Sequence, residues 1–452
     1  MLSDFQTEIN SEKVKERFRT DKKYFTRTRC FTFAGLVMMR LNLMNKTLNV
    51  ELEQIKSIIK GFFSDSTPSK QAFSKAISHI KWEGFQYFND FFVKLFYQTS
   101  DYQIFADKYI LIGGDGTDIQ LPNEEKLKEH FGVYTNGQMP DQCTSKSVKL
   151  YDVLNHVTIT SVLAPYKKEN SKGVSEKALF DQQVKRLPKL IEVSNASLLI
   201  TGDKYYPCFR YFFTLPRIGI NFLFRCRENF CLETIAFAKS GKKDGIIEID
   251  MNRSNRKYQK SVKTKSVFEA DDDSIVNVPD IIRVRCVRIE RGNKAPMFLL
   301  TNLPKAELLY EQIGEAYNMR WGTETSFDLD KNTLEVENFS SKTPNGVLQE
   351  FHAKTLTANI SELLVCQAQK ELDTEQKEKN NRNSYLINRN VAYGLVKNEI
   401  VILLNNIERA DLWFERMTKK VMRYRVAVKP NRSFPKKRKY KTKFSMNRRR
   451  ST

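Results

Sequence analysis

Lys108 to Pro122 reads KYILIGGDGTDIQLP, and Ala196 to Pro207 reads ASLLITGDKYYP. Each opens on a short apolar run bounded by glycine, the pattern of a strand covered on both faces. An acid follows at once: Asp115 after Lys108 to Gly114, and Asp203 after Ala196 to Gly202. A carboxylate just past an apolar strand stands at the rim of a sheet, and flanking glycines leave room for a ligand or metal to approach. Aspartate is also an ordinary turn and cap residue, so neither position is decisive alone.

Outward from these runs, Lys149 to Leu163 alternates as a strand does, Ser175 to Val193 is helical in pattern, and Phe222 to Arg227 is another strand. Strands alternating with a helix of that length predict an α/β core with a mixed sheet. Residues 229–303 offer only β-type runs (Ile246 to Asp250, Ile281 to Ile289, Met297 to Leu300) and read as a β-rich insertion. Helix returns at Leu308 and continues, with interruptions, to Arg423.

Residues 1 to about 100 read as helices. Glu51, Leu52, Ile55, Ile58, Ile59 and Phe62 form a stripe of period 3.6, which Gly61, Ser64 and Asp65 close. Thr67 is a good N-cap for the next helix with Pro68 at its first position, and Ala72, Phe73, Ala76, Ile77 and Ile80 form the face expected to be buried. The opposite face carries Ser69, Lys70, Gln71, Ser74 and Lys75, residue types suited to base edges and phosphates if the two helices form a helix-turn-helix. Two amphipathic helices joined by a short turn are equally an ordinary packing unit.

The 452 residues are enough for several domains and carry 75 Lys and Arg against 53 Asp and Glu, a formal charge of +22. Such an imbalance suits a partner of nucleic acid or another acidic surface better than a small-molecule enzyme. Eleven of the cations fall in Lys429 to Thr452, which holds no acid. That tail reads either as a solubilising segment or as an arm along a phosphate backbone. The apolar stretch Phe31 to Met39 is too short to cross a bilayer, and the charged first twenty residues lack the core of a secretion signal, so a cytoplasmic, nucleoid-associated protein without membrane contact is expected. Seven scattered cysteines without a C-x-x-C and only four histidines argue against zinc.

A third acid stands in Tyr317 to Lys331, YNMRWGTETSFDLDK. Tyr317, Arg320, Glu324 and Lys331 fall on one helix face at about 100° per residue. At ~1.5 Å per residue their row extends about 21 Å, long for a small-molecule site and suited to tracking a nucleic-acid strand. A solvated charged face is the plainer alternative, and Asp328 on the same face is an acidic neighbour.

The spacing Tyr-x2-Arg-x3-Glu-x6-Lys resembles the Y-R-E-K signature of bacterial cut-and-paste DDE transposases of the insertion-sequence type. GDGTDIQLP resembles that family's first-aspartate motif, TGDKYYP its second, TNLP at 301–304 the segment before its final helix, and residues 338–360 the region after it. Two positions differ: Lys204, Tyr205 and Tyr206 stand where the family usually has Arg-Gly-Tyr, and Asp328 where a basic residue is common.

The resemblance implies a ribonuclease-H-like α/β fold: a mixed sheet with a β-rich insertion, a helical N-terminal domain and a helical C-terminal region with a basic tail. It implies a catalytic and metal-binding triad at Asp115, Asp203 and Glu324. DNA contacts are expected from Tyr317, Arg320 and Lys331, together with Ser69, Lys70, Gln71 and Lys75. The expected organisation is an end-DNA-binding domain at 1–100, a catalytic core at 101–228 and 304–395 split by the insertion at 229–303, a helical region at 396–428 open to dimerisation, and the tail at 429–452. Three converging carboxylates repel one another unless cations neutralise them, and oxygen donors favour two Mg²⁺ ions, or Mn²⁺. The implied activity is cleavage at the inverted repeats of a mobile element, through a hairpin in better-known members, and joining of the freed 3′-hydroxyls to target DNA by a homodimer. A structure-selective nuclease on the same fold and a non-catalytic DNA-binding protein from a decayed element are the alternatives. Family members can place a Trp in the insertion to stack a flipped base. Trp82, Trp321 and Trp413 all lie elsewhere, which leaves Phe230, Phe237, Tyr258, Phe268 or Phe298.

Overall fold

The computed structural model describes residues 1–27, 30–42, 46–58, 67–135, 141–166, 174–251, 279–379 and 384–428. The chain opens with six helices: α1 (Leu2–Ile9), α2 (Glu12–Phe18), α3 (Phe33–Leu41), α4 (Leu48–Ile58), α5 (Lys70–Ile77) and α6 (Glu83–Thr99). The N-cap of α5 is Ser69, whose hydroxyl accepts from Ala72 N at 3.2 Å, and not Thr67. Both residues are sound caps locally, and the helix starts past Pro68, at the second of them. Phe73, Ile77 and Ile80 are buried as expected, whereas Ala72 is exposed. Ile59, Gly61, Phe62, Ser64 and Asp65, expected to finish α4, lie outside the described residues.

The sheet follows. Its strands are β1 (Tyr109–Gln120), β2 (Val133–Tyr134), β3 (Gln142–Asp152), β4 (Val157–Pro165), β5 (Ser197–Gly202), β6 (Ile220–Cys226), β7 (Asp244–Asp250), β8 (Ile281–Arg291) and β9 (Lys294–Thr301). Helices α7 (Glu125–Phe131), α8 (Glu176–Val184), α9 (Leu187–Leu190), α10 (Phe209–Arg217) and α11 (Leu232–Lys239) are interspersed. Strand order is β2-β3-β1-β5-β6-β9-β8-β7, with β4 on β3. The pairs β1·β5 and β5·β6 are parallel and the rest antiparallel, so the sheet is mixed. The stretch 229–303, expected as a β-rich insertion, is not made of strands alone. It contains α11, and its three strands continue the central sheet past β6. Antiparallel β9 can join β6 because β6 would otherwise be a bare edge with unpaired backbone groups.

Period-two alternation sorts the strands between two layers. Ile110, Ile112, Leu198 and Ile200 pack with α8 and α10 on one face. Tyr109, Leu111 and Leu199 pack on the other with α12 (Tyr310–Met319), which leads into α13 (Trp321–Asn332). At Gly113 and Gly114 the two layers come close to the strand backbone. A Cβ on Gly113 would lie 1.9 Å from Thr323 Oγ1, and one on Gly114 would lie 2.3 Å from the Phe180 ring.

The long α14 (Pro344–Lys379), a hairpin of β10 (Tyr385–Ile387) and β11 (Arg425–Ala427), α15 (Arg389–Asn405) and α16 (Ala410–Met422) complete the chain. The end of the region expected to be helical at 396–428 is therefore a strand, and its first helix begins earlier, at Arg389. Residues of α1–α6 share one hydrophobic core with α14, α15 and α16. The N-terminal helices are thus built into the body of the molecule. Arg40 of α3 pairs with Glu350 of α14 at 3.0 Å with both side chains buried, and Glu350 also accepts from the backbone and hydroxyls of Ser340 and Ser341. The basic tail at 429–452 lies outside the described residues.

Removing one partner of a buried pair leaves an uncompensated charge, at a cost of about 3–5 kcal/mol. Glu350→Ala is expected to lower unfolding stability by about that amount in urea denaturation, and Glu350→Gln by less, since an amide oxygen in the place of Oε1 still accepts from the Ser341 N–H and the two serine hydroxyls. Equal stability of the three proteins contradicts the role assigned to the pair.

Candidate active site

The register of β1 and β5 brings the two aspartates together. Gly113 pairs with Thr201 in parallel, so Asp115 and Asp203 stand two residues further along adjacent strands, on the face that packs against α12 and α13. Asp115 does not follow the end of its strand, as the apolar run suggested. β1 continues to Gln120, and Asp115 pairs with Lys149 of β3. It is the pairing with β5 that stops, because β5 ends at Gly202 and Asp203 turns away, its carboxylate accepting from Tyr205 N at 2.7 Å.

The expected single helix over 317–331 is two, α12 and α13, joined at Arg320, which keeps α-helical angles (φ −49°, ψ −31°). Bonds from Arg320 N to Tyr317 O (3.2 Å) and Thr323 N to Arg320 O (2.9 Å) tighten the junction to a three-residue spacing. The side chains still converge. Arg320 donates from Nη2 to Glu324 Oε1 at 2.8 Å, its Nη1 lies 3.8 Å from Asp115 Oδ2, and its guanidinium sits 5.5 Å from the Tyr317 ring centre. One cation therefore bridges the carboxylates of Asp115 and Glu324. Arg320 is 7 % exposed, and among the described residues its Nε and Nη1 have no hydrogen-bond partner. The fully buried Thr323 Oγ1, against Gly113, has none either.

Burial pushes the Asp115 carboxyl up to about 6, and the nearby carboxylates of Asp203 and Glu324 push the same way, against the Gly116 N–H and Arg320. Among the described residues, no three His, Cys, Asp or Glu side chains are gathered tightly enough to hold a metal ion between them. The positive charge between Asp115 and Glu324 is the Arg320 guanidinium.

Lys331 reaches β1, donating to Thr117 Oγ1 at 2.9 Å and Asp118 O at 2.7 Å. Tyr317 is buried in the core under α12, so its ring serves as a platform for Arg320. Ser69, Lys70, Gln71 and Lys75 are all exposed but stand on another element, at the start of α5 and along it, with the Ser69 hydroxyl engaged as the cap. Of the aromatics considered for stacking, Phe237 and Phe298 are buried, and Phe230 packs on Phe209 with ring centres 5.2 Å apart. Tyr258 and Phe268 lie outside the described residues.

Two site neighbours, Lys149 and Glu176, are not among the residues expected from the sequence. Lys149, 3 % exposed, is ion-paired with Asp330 of α13 and lies 3.3 Å from Ser326 Oγ and 4.9 Å from the Phe327 ring centre. It sits in an alternating strand that looks like any other. Glu176, at the start of α8, accepts from Tyr206 Oη at 2.7 Å and fills the space a side chain on Gly116 would need. The glycine after Asp115 was its only trace.

No helix among the described residues is long and apolar enough to cross a membrane. No curated protein matches the chain. Among solved structures it is similar to a piggyBac transposase in a synaptic complex with hairpin DNA, at 12 % identity and a TM-score of 0.43, over 96 % of this chain and 84 % of that one. A family model described as a transposase DDE domain matches residues 110–360, which is more than half of the chain and spans Asp115, Asp203 and Glu324, so the protein belongs to the DDE transposase family.

Proposed function

We propose that this transposase cuts at the inverted repeats of a mobile element and joins the ends to target DNA, with Asp115, Asp203 and Glu324 holding two Mg²⁺ ions, or Mn²⁺. The Y-R-E-K residues Tyr317, Arg320, Glu324 and Lys331 support placing it with the bacterial insertion-sequence type, working as a homodimer on two double-stranded ends. One observation carries the reading most: the carboxylates of Asp115 and Glu324, which are far apart in sequence, meet around a single guanidinium at the end of the β1·β5 pairing.

The donors fit hard cations, because all three acids offer only oxygen. The site already draws positive charge toward Asp115 and Glu324, in the form of Arg320. When bound, the ions supply activation of water or a 3′-hydroxyl on one side of a phosphodiester and stabilisation of the leaving oxygen on the other. The chain's own residues position that bond. Tyr317 fixes the reach of Arg320, whose guanidinium holds Glu324 beside Asp115. Lys331 ties the end of α13 to β1, and Lys149 clamps α13 on the sheet through Asp330 and Ser326, so that Glu324 is held over Asp115.

Asp115→Asn, Asp203→Asn and Glu324→Gln are each expected to reduce Mg²⁺-dependent cleavage of terminal repeats at least a thousandfold, with end binding kept within a few fold in gel-shift titrations. Retained cleavage in any one removes that residue from the triad. Lys149→Met is expected to slow single-turnover cleavage tenfold or more with the DNA dissociation constant unchanged within twofold, and Lys149→Arg to recover much of the rate. A lysine that only stabilised the fold would lower the melting temperature without moving the rate in the cold.

The raised Asp115 pKa fixes the sign of a stability effect. Its carboxyl binds a proton more tightly folded than unfolded, so its contribution to stability is full below about pH 4 and lost as pH rises to about 6. In EDTA, Asp115→Asn is therefore expected to be more stable relative to wild type at pH 8 than at pH 4 in urea melts. A difference that is flat with pH contradicts the shift.

A further inference from the structure

The glycines of β1 show what backs the strand on each side. A Cβ on Gly113 would lie 1.9 Å from Thr323 Oγ1 of α13, whereas one on Gly114 would meet the Phe180 ring at 2.3 Å and one on Gly116 the Glu176 carboxyl carbon at 2.4 Å, both on α8. Gly113 and Asp115 therefore face α13, and Gly114 and Gly116 face α8. Glu176 and Phe180 are one helical turn apart, so they share a face of α8 and press on β1 together. The Ser175 hydroxyl caps that helix by accepting from Ala178 N at 3.2 Å, and a carboxylate in the first turn complements the positive end of the helix.

Both side chains end on one tyrosine. Tyr206, fully buried, stacks its ring on Phe180 with centres 4.4 Å apart and donates from its hydroxyl to Glu176 Oε1 at 2.7 Å. Tyr206 belongs to the turn that carries Asp203: its N–H donates to Asp203 O at 3.2 Å, and the Tyr205 N–H donates to the Asp203 carboxylate at 2.7 Å. That turn has run out of sheet partner, because the pairing of β1 with β5 stops at Gly113 and Thr201. Beyond that point Tyr206 and Glu176 link the turn back to β1 next to Asp115.

We infer that Glu176 is a positioning residue: bonded to the Tyr206 hydroxyl, it holds the Asp203 turn against β1 and so sets the separation of the Asp115 and Asp203 carboxylates. The inference rests on the proposed function in taking those two acids as holders of a metal pair. Glu176 is not placed to join them, since it backs β1 from the side opposite the Asp115 carboxylate, which approaches Arg320. It acts instead through a hydrogen bond from a buried phenol to a carboxylate, which is stronger than one between neutral groups. Loss of such a partner behind a metal ligand typically weakens metal binding by roughly 10–100-fold.

The test measures Mn²⁺ binding to the full chain without DNA, from the electron paramagnetic resonance signal of the free ion. Tyr206→Phe, which removes one hydroxyl from the core, and Glu176→Ala are each expected to raise the Mn²⁺ dissociation constant about tenfold. The double variant is expected to do no worse than Glu176→Ala, because both changes break the same bond. Glu176→Gln keeps an oxygen that accepts from Tyr206 and is expected to recover most of the affinity. In cleavage assays on a terminal-repeat duplex, Tyr206→Phe and Glu176→Ala are expected to need about tenfold more Mg²⁺ for half-maximal rate, with DNA affinity in EDTA unchanged. Melting curves check that each variant folds. Wild-type Mn²⁺ affinity in Tyr206→Phe and Glu176→Ala, with binding weakened in Asp203→Asn, overturns the assignment and leaves the proposed function standing. A lower melting temperature alone would then mark a bond that only stabilises the fold. Glu176→Gln as weak as Glu176→Ala also overturns it, since charge and not the bond would be what the site uses. Mn²⁺ binding indifferent to Asp203→Asn overturns both readings.

Discussion

Like charges at the end of a parallel strand pair set the terms for this molecule. Asp203 and Glu324 stand near Asp115 in partly buried surroundings, where their negative charge raises its proton affinity and a cation relieves the repulsion. In the structure the compensation is divided. Arg320 bridges two of the three, and Asp115 gains a proton affinity well above that of a free carboxyl. The junction between α12 and α13 follows from this, since tightening the backbone at Arg320 keeps the guanidinium on the Tyr317 ring while it reaches both acids. A helix running straight through would satisfy local hydrogen bonding equally well but has no reason to break at a buried arginine.

Holding Glu324 at that distance requires α13 to press on the sheet. Gly113 removes the side chain that would collide with Thr323, and Lys149 supplies attraction from the neighbouring strand by pairing with Asp330. Burying a lysine costs several kcal/mol in desolvation, so this pair adds little net stability and its worth lies in fixing position. The N-terminal and C-terminal helices are anchored with similar economy. α14 carries Gln349 and Glu350, which bind the carbonyls at the end of α5 and the guanidinium of α3. The helical body and the central sheet therefore share α14 as a structural member, which ties α5 to the rest of the molecule.

The strands of the core were legible because fully covered strands need unbroken apolar runs, whereas the two aspartates were set apart from ordinary turn residues only by the resemblance of their motifs to a family. Tyr317, Arg320 and Glu324 were legible from helical spacing, since a three- or four-residue step survives a tightened junction. Lys149 was not. Its burial depends on Asp330, nearly two hundred positions away in sequence, and no local pattern records that pairing. Nor did the sequence show that the strands after α11 extend the central sheet, because an edge-adding strand and a strand of a separate insertion have the same alternation. The start of α5 failed for a different reason: Thr67 and Ser69 are near-equal caps two residues apart, and the packing of Phe73 and Ile77 chooses between registers that propensity cannot separate.

The asymmetry of pairing around Asp115 explains why the site lies there and not elsewhere along β1. On one side β3 continues in register through Asp115 to Gln120, holding the backbone rigid. On the other, β5 stops at Gly202 and leaves a gap beside the strand. A carboxylate in mid-strand would be fixed but closed in on both sides, and one on a loop would be open but loose. Where one neighbour ends and the other goes on, the side chain is held to within the tolerance of a sheet and still lies beside the carboxyl end of β5.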